Sequence, residues 1–247
     1  MLKSVRILGV LVHSGPASEV IAHIDDRVAQ RSSTRVAFLN AHLSNLCSRN
    51  PAFQKELDGF LVLNDGVGLD IASWALHGAK FPHNLNGTDF VTSLLDRTRH
   101  DLRIFLLGTS NEVVSEAARR IEARWPRHKV VDHHHGFLDQ SNEASLKDRL
   151  VQAKPDLILV GMGNLRQERW IARHVPDVCP CGVAVGAWLD FIAGAVPRAP
   201  AWVRAVRSEW VFRLCLEPRR LAGRFLVGNL VFLARLGRAK LRASATT

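Results

Sequence analysis

Leu63-Asn64-Asp65-Gly66-Val67-Gly68 sets a carboxylate at the end of an apolar run, beside glycines that let a ligand approach the backbone. Such an Asp can serve as a general base toward a hydroxyl, or bond its own backbone as a turn residue. Gly161-Met162-Gly163 follows a second apolar run and opens a helical pattern. Backbone N–H groups and a helix dipole in that arrangement suit a phosphate. Arg166 stands where the third glycine of a dinucleotide fingerprint would be, so the turn fits a nucleotide of some kind better than NAD, and a tight structural turn equally well. Leu85-Asn86-Gly87-Thr88-Asp89-Phe90 reads as a loop with Thr88 or Asp89 capping the next helix. Asp132-His133-His134-His135-Gly136 reads as a polar loop at a strand end, because consecutive histidines diverge and no other Asp, Glu or His set has ligand spacing. The chain has no DxD motif, so a bound diphosphate would be met by helix N-termini and arginines.

The elements that carry these residues alternate. Apolar runs at Thr34–Leu39, Phe60–Leu63, Leu102–Leu107, Lys129–Asp132, Leu157–Val160 and Val183–Val185 each lead into a turn or a helical pattern. Helices are expected near Glu112–Arg124, Glu143–Ala153 and Gln167–His174. This alternation predicts an α/β fold, a Rossmann-like, largely parallel sheet with helices on both faces. Ligands then bind at the carboxyl ends of the strands. Met1 to Val10 has a short apolar run without a convincing cleavage site, so it reads as a first strand rather than a signal peptide. Cys179-Pro180-Cys181 is CxC rather than CxxC, and with Cys47 and Cys215 it reads as reduced structural cysteine of a cytoplasmic protein.

At 247 residues the chain can bury a substantial core, and no apolar run reaches the roughly 18–20 residues that span a bilayer. Its charge is concentrated at one end. From Arg198 to Thr247 eleven Lys or Arg face two Glu, a net +9 of the chain's +10. We expect a catalytic α/β domain over 1–197 and a basic helical appendage over 198–247. In the appendage Trp202, Val203, Val206, Trp210 and Leu214 recur at helical spacing between Arg204, Arg207 and Arg213, until Pro218 breaks the helix. Leu221, Phe225, Phe232 and Leu236 form a second stripe among Arg219, Arg220, Arg224, Arg235, Arg238, Lys240 and Arg242, and Ala243–Thr247 is expected to fray. Large apolar residues among arginines fit an interfacial helix on an anionic membrane. A nucleic-acid tail would carry fewer of them, and no nucleic-acid-reading module is present. The alternative is a stripe that packs on the body with its arginines solvated.

Together the motifs resemble one family. Leu39-Asn40-Ala41-His42, Asn64-Asp65-Gly66-Val67-Gly68, Asn86-Gly87-Thr88-Asp89, Phe105-Leu106-Leu107-Gly108 and His134-His135-Gly136 occur in order. Val160-Gly161-Met162-Gly163, Gln167-Glu168-Arg169-Trp170-Ile171-Ala172, Gly186 through Asp190-Phe191-Ile192-Ala193-Gly194, Arg198-Ala199-Pro200, Glu209-Trp210, Arg213-Leu214 and Glu217-Pro218-Arg219-Arg220 follow. The set resembles the WecG/TagA/CpsF glycosyltransferases, glycosyltransferase family 26.

The resemblance implies an inverting enzyme without a metal or other cofactor, peripheral on the cytoplasmic face of the bacterial inner membrane. It moves a hexose or N-acetylhexosamine from a UDP-sugar to a sugar on polyprenyl pyrophosphate. By its place in the motif Asp65 is the implied base. Substrate contacts fall on Asn40, Asn64, Gly66, Asn86, Gly87, Thr88, Asp89, Gly108, Gly161 and Gly163. Gln167 and Glu168 are implied uridine contacts, and Arg213, Arg220 and Arg224 of the appendage neutralise the departing diphosphate. Phe38 stands where the family often has Thr, and Leu165 where it usually has Pro. The Asn84–Gly87 loop together with Asn64-Asp65 leans toward the exopolysaccharide branch and UDP-glucose, with UDP-N-acetylmannosamine as the alternative donor. Rival classes are a basic nucleic-acid-binding protein, a nucleotide-dependent oxidoreductase and a non-catalytic membrane scaffold. Oligomeric state, including a homo-oligomer, is left open.

Overall fold

The computed structural model describes residues 3–200, 202–203 and 208–244. Arg204, Val206 and Arg207 of the expected appendage stripe lie outside the described residues. In chain order the elements are β1 (Ser4–Ile7), β2 (Val10–His13), α1 (Ala17–Ala29), β3 (Thr34–Leu39), α2 (Ala41–Arg49), α3 (Pro51–Glu56), β4 (Leu61–Asn64) and α4 (Val67–His77). Next come α5 (Gly87–Arg97), β5 (Arg103–Gly108), α6 (Asn111–Arg124), β6 (Lys129–His134), α7 (Gln140–Ala153), β7 (Leu157–Gly161), α8 (Arg166–Val178), β8 (Cys181–Ala184) and α9 (Trp188–Ala193). The appendage holds α10 (Glu209–Leu216), α11 (Pro218–Ala222), a π turn over Gly223–Val227, and α12 (Gly228–Ser244).

Eight strands form one sheet in the order β1-β2-β4-β3-β8-β7-β5-β6, parallel except at the β1–β2 pair. The inner strands are apolar throughout because both faces are covered. Val36, Ile104, Leu106, Leu157 and Leu159 point into one core, with α1, α5, α6 and α9. Their neighbours Ala37, Phe105, Leu107, Ile158 and Val160 point into the other, with α2, α4, α7, α8 and α12. The fold is the expected α/β architecture.

The differences are local. The first ten residues hold most of a hairpin rather than one strand. Leu8 and Gly9 take positive φ (46° and 94°), which turns the chain in two residues and sets Ser4 opposite His13. The cap of α5 is Asn86, not Thr88 or Asp89. Its Oδ1 accepts from the Asp89 N–H at 3.0 Å while its Nδ2 donates to the Asp89 carboxylate at 2.8 Å. β6 runs on through His134, and α8 extends to Val178. In the appendage Ser208 caps α10, Pro218 starts α11 as its first residue, and α12 continues through Ser244.

Of the second appendage stripe, Leu221, Phe232 and Leu236 are buried, and Phe232 and Leu236 join the core of α2 and α4. That stripe is the packing face. Asn45 Nδ2 donates to the Gly228 carbonyl (2.7 Å), and Arg235 donates to the Ser44 carbonyl and Asn45 Oδ1 (2.9 Å each). A different apolar set is exposed, with Leu226, Val227, Leu230 and Leu241 each more than half accessible.

Gly108 ends β5 at φ 149°, and a Cβ there would lie 2.4 Å from the Gly161 carbonyl oxygen. Gly108→Ala is therefore expected to cost about 2–3 kcal/mol. Urea unfolding monitored by circular dichroism measures it.

Candidate active site

Five strand ends open into one cleft of about 750 Å³. Its walls are Asn40 after β3, Asp65 after β4, Thr109 after β5, Gly161 at the end of β7, and Val185 and Gly186 after β8. The appendage closes the opposite side with Trp210, Arg213, Glu217, Arg220, Arg224 and Phe225. The strand order explains the location, since the chain passes from β3 outward to β4 and then crosses back over β3, β8 and β7 to β5, so the connections after β3 and β4 part in opposite directions.

Asp65 is half-buried, and its backbone N–H donates to the Leu39 carbonyl at 2.8 Å. Asn40 caps α2 with Oδ1, accepting from the Leu43 N–H at 3.0 Å, while its Nδ2 donates to Asp65 Oδ2 at 3.1 Å. One side chain thus starts a helix and orients the carboxylate. Burial pushes the Asp65 carboxyl above its ordinary range, although the Asn40 hydrogen bond and the Arg224 and Arg213 charges pull the other way. It is a stronger base than a solvated Asp, aimed into a cleft.

Cations surround it. Arg213 and Arg224 both have their pKa lowered, by burial first and by neighbouring guanidinium charge. Arg224 Nε is buried and makes no hydrogen bond. Arg213 lies over the Phe191 ring at 5.5 Å, and Arg220 pairs with Glu217. A cationic wall with an unsatisfied buried donor fits an anionic ligand such as a diphosphate.

Asn40, Asp65, Gly66, Asn86, Gly87, Thr88, Gly161, Gly163, Gln167, Arg213, Arg220 and Arg224 line the cleft. Four other candidates are not among the lining residues, and each has partners of its own. Asn64 is buried and donates to the His83 carbonyl. Asp89 holds Asn86 and the Arg198 guanidinium. Gly108 packs on Gly161. Glu168 is 1% exposed, and its carboxylate accepts from the Leu165 N–H (2.6 Å), Gln167 Nε2 (2.8 Å) and Asn164 Nδ2 (3.3 Å). It braces the turn into α8, where Leu165 takes φ 70°, a conformation closed to proline. Gln167 Oε1 accepts from the Gly186 N–H at 3.2 Å, so its amide ties two loops together.

The sequence reading passed over several lining residues. His42 keeps a neutral imidazole because burial, then Arg224 and Arg49, lower its pKa to about 4. Thr109 Oγ1 donates to Asp190 Oδ1 at 2.8 Å across the nucleotide-side turn. Phe38 fills the wall so closely that a Cβ on Gly87 would lie 3.1 Å from its ring. His42 and Asp190 sit inside motifs already singled out, His42 just after β3 and Asp190 in α9, the helix after β8, and that position was the available signal. Of the triple histidine, His133 Nε2 bonds to Ser115, whereas the His134 and His135 rings pack together at 4.2 Å instead of diverging.

A family model described as "Glycosyl transferase WecG/TagA/CpsF family" matches residues 5–246. The chain belongs to this family. This WecG/TagA/CpsF member is thus an enzyme, a glycosyltransferase of polysaccharide biosynthesis. It is similar to the N-acetylglucosaminyldiphosphoundecaprenol N-acetyl-beta-D-mannosaminyltransferase of Staphylococcus aureus strain NCTC 8325 / PS 47. The two are 31% identical over 244 residues, 96% of this chain and 93% of the relative. The protein of the same name from strain MRSA252 is 30% identical over the same span.

Asn40→Ala removes a helix cap and the hydrogen bond that favours ionised Asp65. It should cost about 1 kcal/mol of stability. The Asp65 carboxyl then rises further, so the acid limb of kcat/KM moves to higher pH. A pH–rate profile of the variant checks the direction.

Proposed function

We propose that this glycosyltransferase moves N-acetylmannosamine from UDP to N-acetylglucosamine carried on a polyprenyl diphosphate, inverting the anomeric centre. The observation that carries the chemistry is the recessed, basic Asp65 facing Arg213 and Arg224 in one cleft. The donor assignment leans on the names of the Staphylococcus aureus relatives, which favour N-acetylmannosamine over the glucose to which the Asn84–Gly87 loop had pointed.

In this reading Asp65 Oδ takes the proton from the acceptor hydroxyl as that oxygen attacks the anomeric carbon. The bond from that carbon to the UDP oxygen breaks, and the diphosphate leaves with its electron pair. The Gly161–Gly163 turn lies on the leaving side, with Thr109 and Asp190 close by. Arg213, Arg220 and Arg224 offset the charge that develops there. Asn40 keeps the carboxylate aimed.

The protein works at a membrane surface in the same reading. No helix among the described residues is long and apolar enough to cross a membrane. Leu216, Leu226, Val227, Leu230 and Leu241 are instead exposed among Arg219, Arg238, Lys240 and Arg242. Large apolar residues beside cations suit an anionic bilayer interface. The basic segment thereby belongs to a membrane-docking appendage rather than to a nucleic-acid-binding tail.

Asp65→Asn keeps the shape and removes the base. Turnover is expected to fall by roughly 100-fold or more. Ionising a carboxyl whose folded pKa is raised costs stability once pH has climbed through its unfolded and then its folded value. The variant should therefore melt at or above the wild-type temperature at neutral pH. UDP release from a panel of UDP-sugars, with polyprenyl-diphosphate-linked acceptors and EDTA, tests donor and base together. Full turnover by a folded Asp65→Asn enzyme sinks the mechanism, and acceptor-dependent release from UDP-glucose alone sinks the donor.

Docking has its own test. Leu226→Ser with Leu230→Ser should release the protein from phosphatidylglycerol vesicles in co-sedimentation, with the circular dichroism spectrum unchanged.

A further inference from the structure

Two exposed apolar stripes run side by side away from the cleft. On α4 they are Val67, Ile71 and Trp74, at i, i+4 and i+7, between 38% and 58% exposed. On α12 the matching positions are Leu233, Gly237, Lys240 and Leu241. The two helices point the same way. A Cβ on Gly68 would sit 3.7 Å from the Phe232 ring, and farther along Lys240 Nζ lies 5.7 Å from the centre of the Trp74 ring. Between them runs a trough about two helical turns long, roughly 10 Å. Gly237 leaves a gap in its α12 side, since a Cβ there would meet nothing within 4 Å.

The ends of the trough differ. The inner end is continuous with the active-site wall, where Val67, Ile71 and Leu233 line the cleft and Val67 is two residues from Asp65. The outer end carries Trp74, Lys240 and Leu241, an aromatic, a cation and an aliphatic residue of the kind that sits at the headgroup level of a bilayer. We propose that this trough holds the first isoprene units of the acceptor's polyprenyl chain and guides them from the base to the membrane. The proposal rests on the acceptor reading given above. A sugar whose hydroxyl reaches Asp65 must send its diphosphate and chain out from that point. The apolar exit between α4 and α12 begins at Val67, beside that point. A second copy of the chain is a poor occupant. A stable interface needs about 800 Å² per partner, and two short helical stripes do not supply it.

Gly237→Leu fills the gap and is the sharpest test. Leucine is a better helix former than glycine, so the helix is kept, and an added apolar side chain does not weaken membrane docking. Trp74→Ser removes the outer wall as a second variant. We would measure kcat/KM with N-acetylglucosaminyl-diphosphate acceptors bearing undecaprenyl or methyl groups in detergent. Binding to phosphatidylglycerol–phosphatidylethanolamine vesicles and light-scattering mass would be read alongside.

Wild type is expected to favour the long chain. Both variants should lose roughly tenfold of that preference, with turnover of the methyl acceptor intact and Gly237→Leu still bound to vesicles. Four outcomes overturn the trough: a wild type indifferent to chain length, variants that keep the preference, a preference lost only in step with vesicle binding, or a dimer that Gly237→Leu dissolves. In all four the acceptor reading survives as long as transfer to either acceptor persists. Absence of transfer to both acceptors by wild type overturns the acceptor reading and the trough with it.

Discussion

A carboxylate held out of water at the end of β4 sets the terms for the rest of the structure. Burial raises the proton affinity of Asp65, and one hydrogen bond from Asn40 with two guanidinium groups limits how far. Those restraints come from three places in the chain. The parallel pairing of β3 and β4 brings Asn40 and Asp65 together, and the appendage brings the arginines back across some 150 residues. The sheet supplies a fixed edge, and the segment beyond Ser208 supplies charge. A general base and an anion site in one cleft need both.

The same division explains why the appendage packs as it does. Leu221, Phe232 and Leu236 turn inward, so α12 adds to the core that Leu43 and Leu69 begin. Arg198 ties the entrance of the appendage to Asp89 on α5 and approaches Glu209 on α10 at 4.0 Å. The arginines of the site therefore hang from a packed element. Burial first, and then their mutual repulsion, lower the pKa values of Arg213 and Arg224.

Much of this was legible in the sequence. Buried parallel strands write themselves as unbroken apolar runs, so β3, β5 and β7 stood out within a residue or two of their bounds. Asp65 and the Gly161–Gly163 turn were readable because strand ends followed by glycine are where such sheets bind ligands. What stayed hidden was which groups each polar side chain would meet. Glu168, a uridine contact by resemblance alone, accepts from Leu165, Gln167 and Asn164 in the turn before its own helix. A helical stripe does not say which neighbour it meets, so the apolar residues expected at a membrane were in good part the ones that fill the core. The Leu8–Gly9 turn was hidden inside an apolar run because leucine rarely takes a positive φ.

The packing of α12 also has a consequence for synthesis. Domains tend to fold from the N-terminus while the chain is still emerging. Here the last described helix to leave the ribosome covers α2 and α4, and the segment just before it carries the site's arginines. A nascent chain can thus assemble its sheet and its base while the core between α2 and α4 is still open to solvent. Until this stretch has emerged, the cleft lacks its arginine side and α2 and α4 lack their cover.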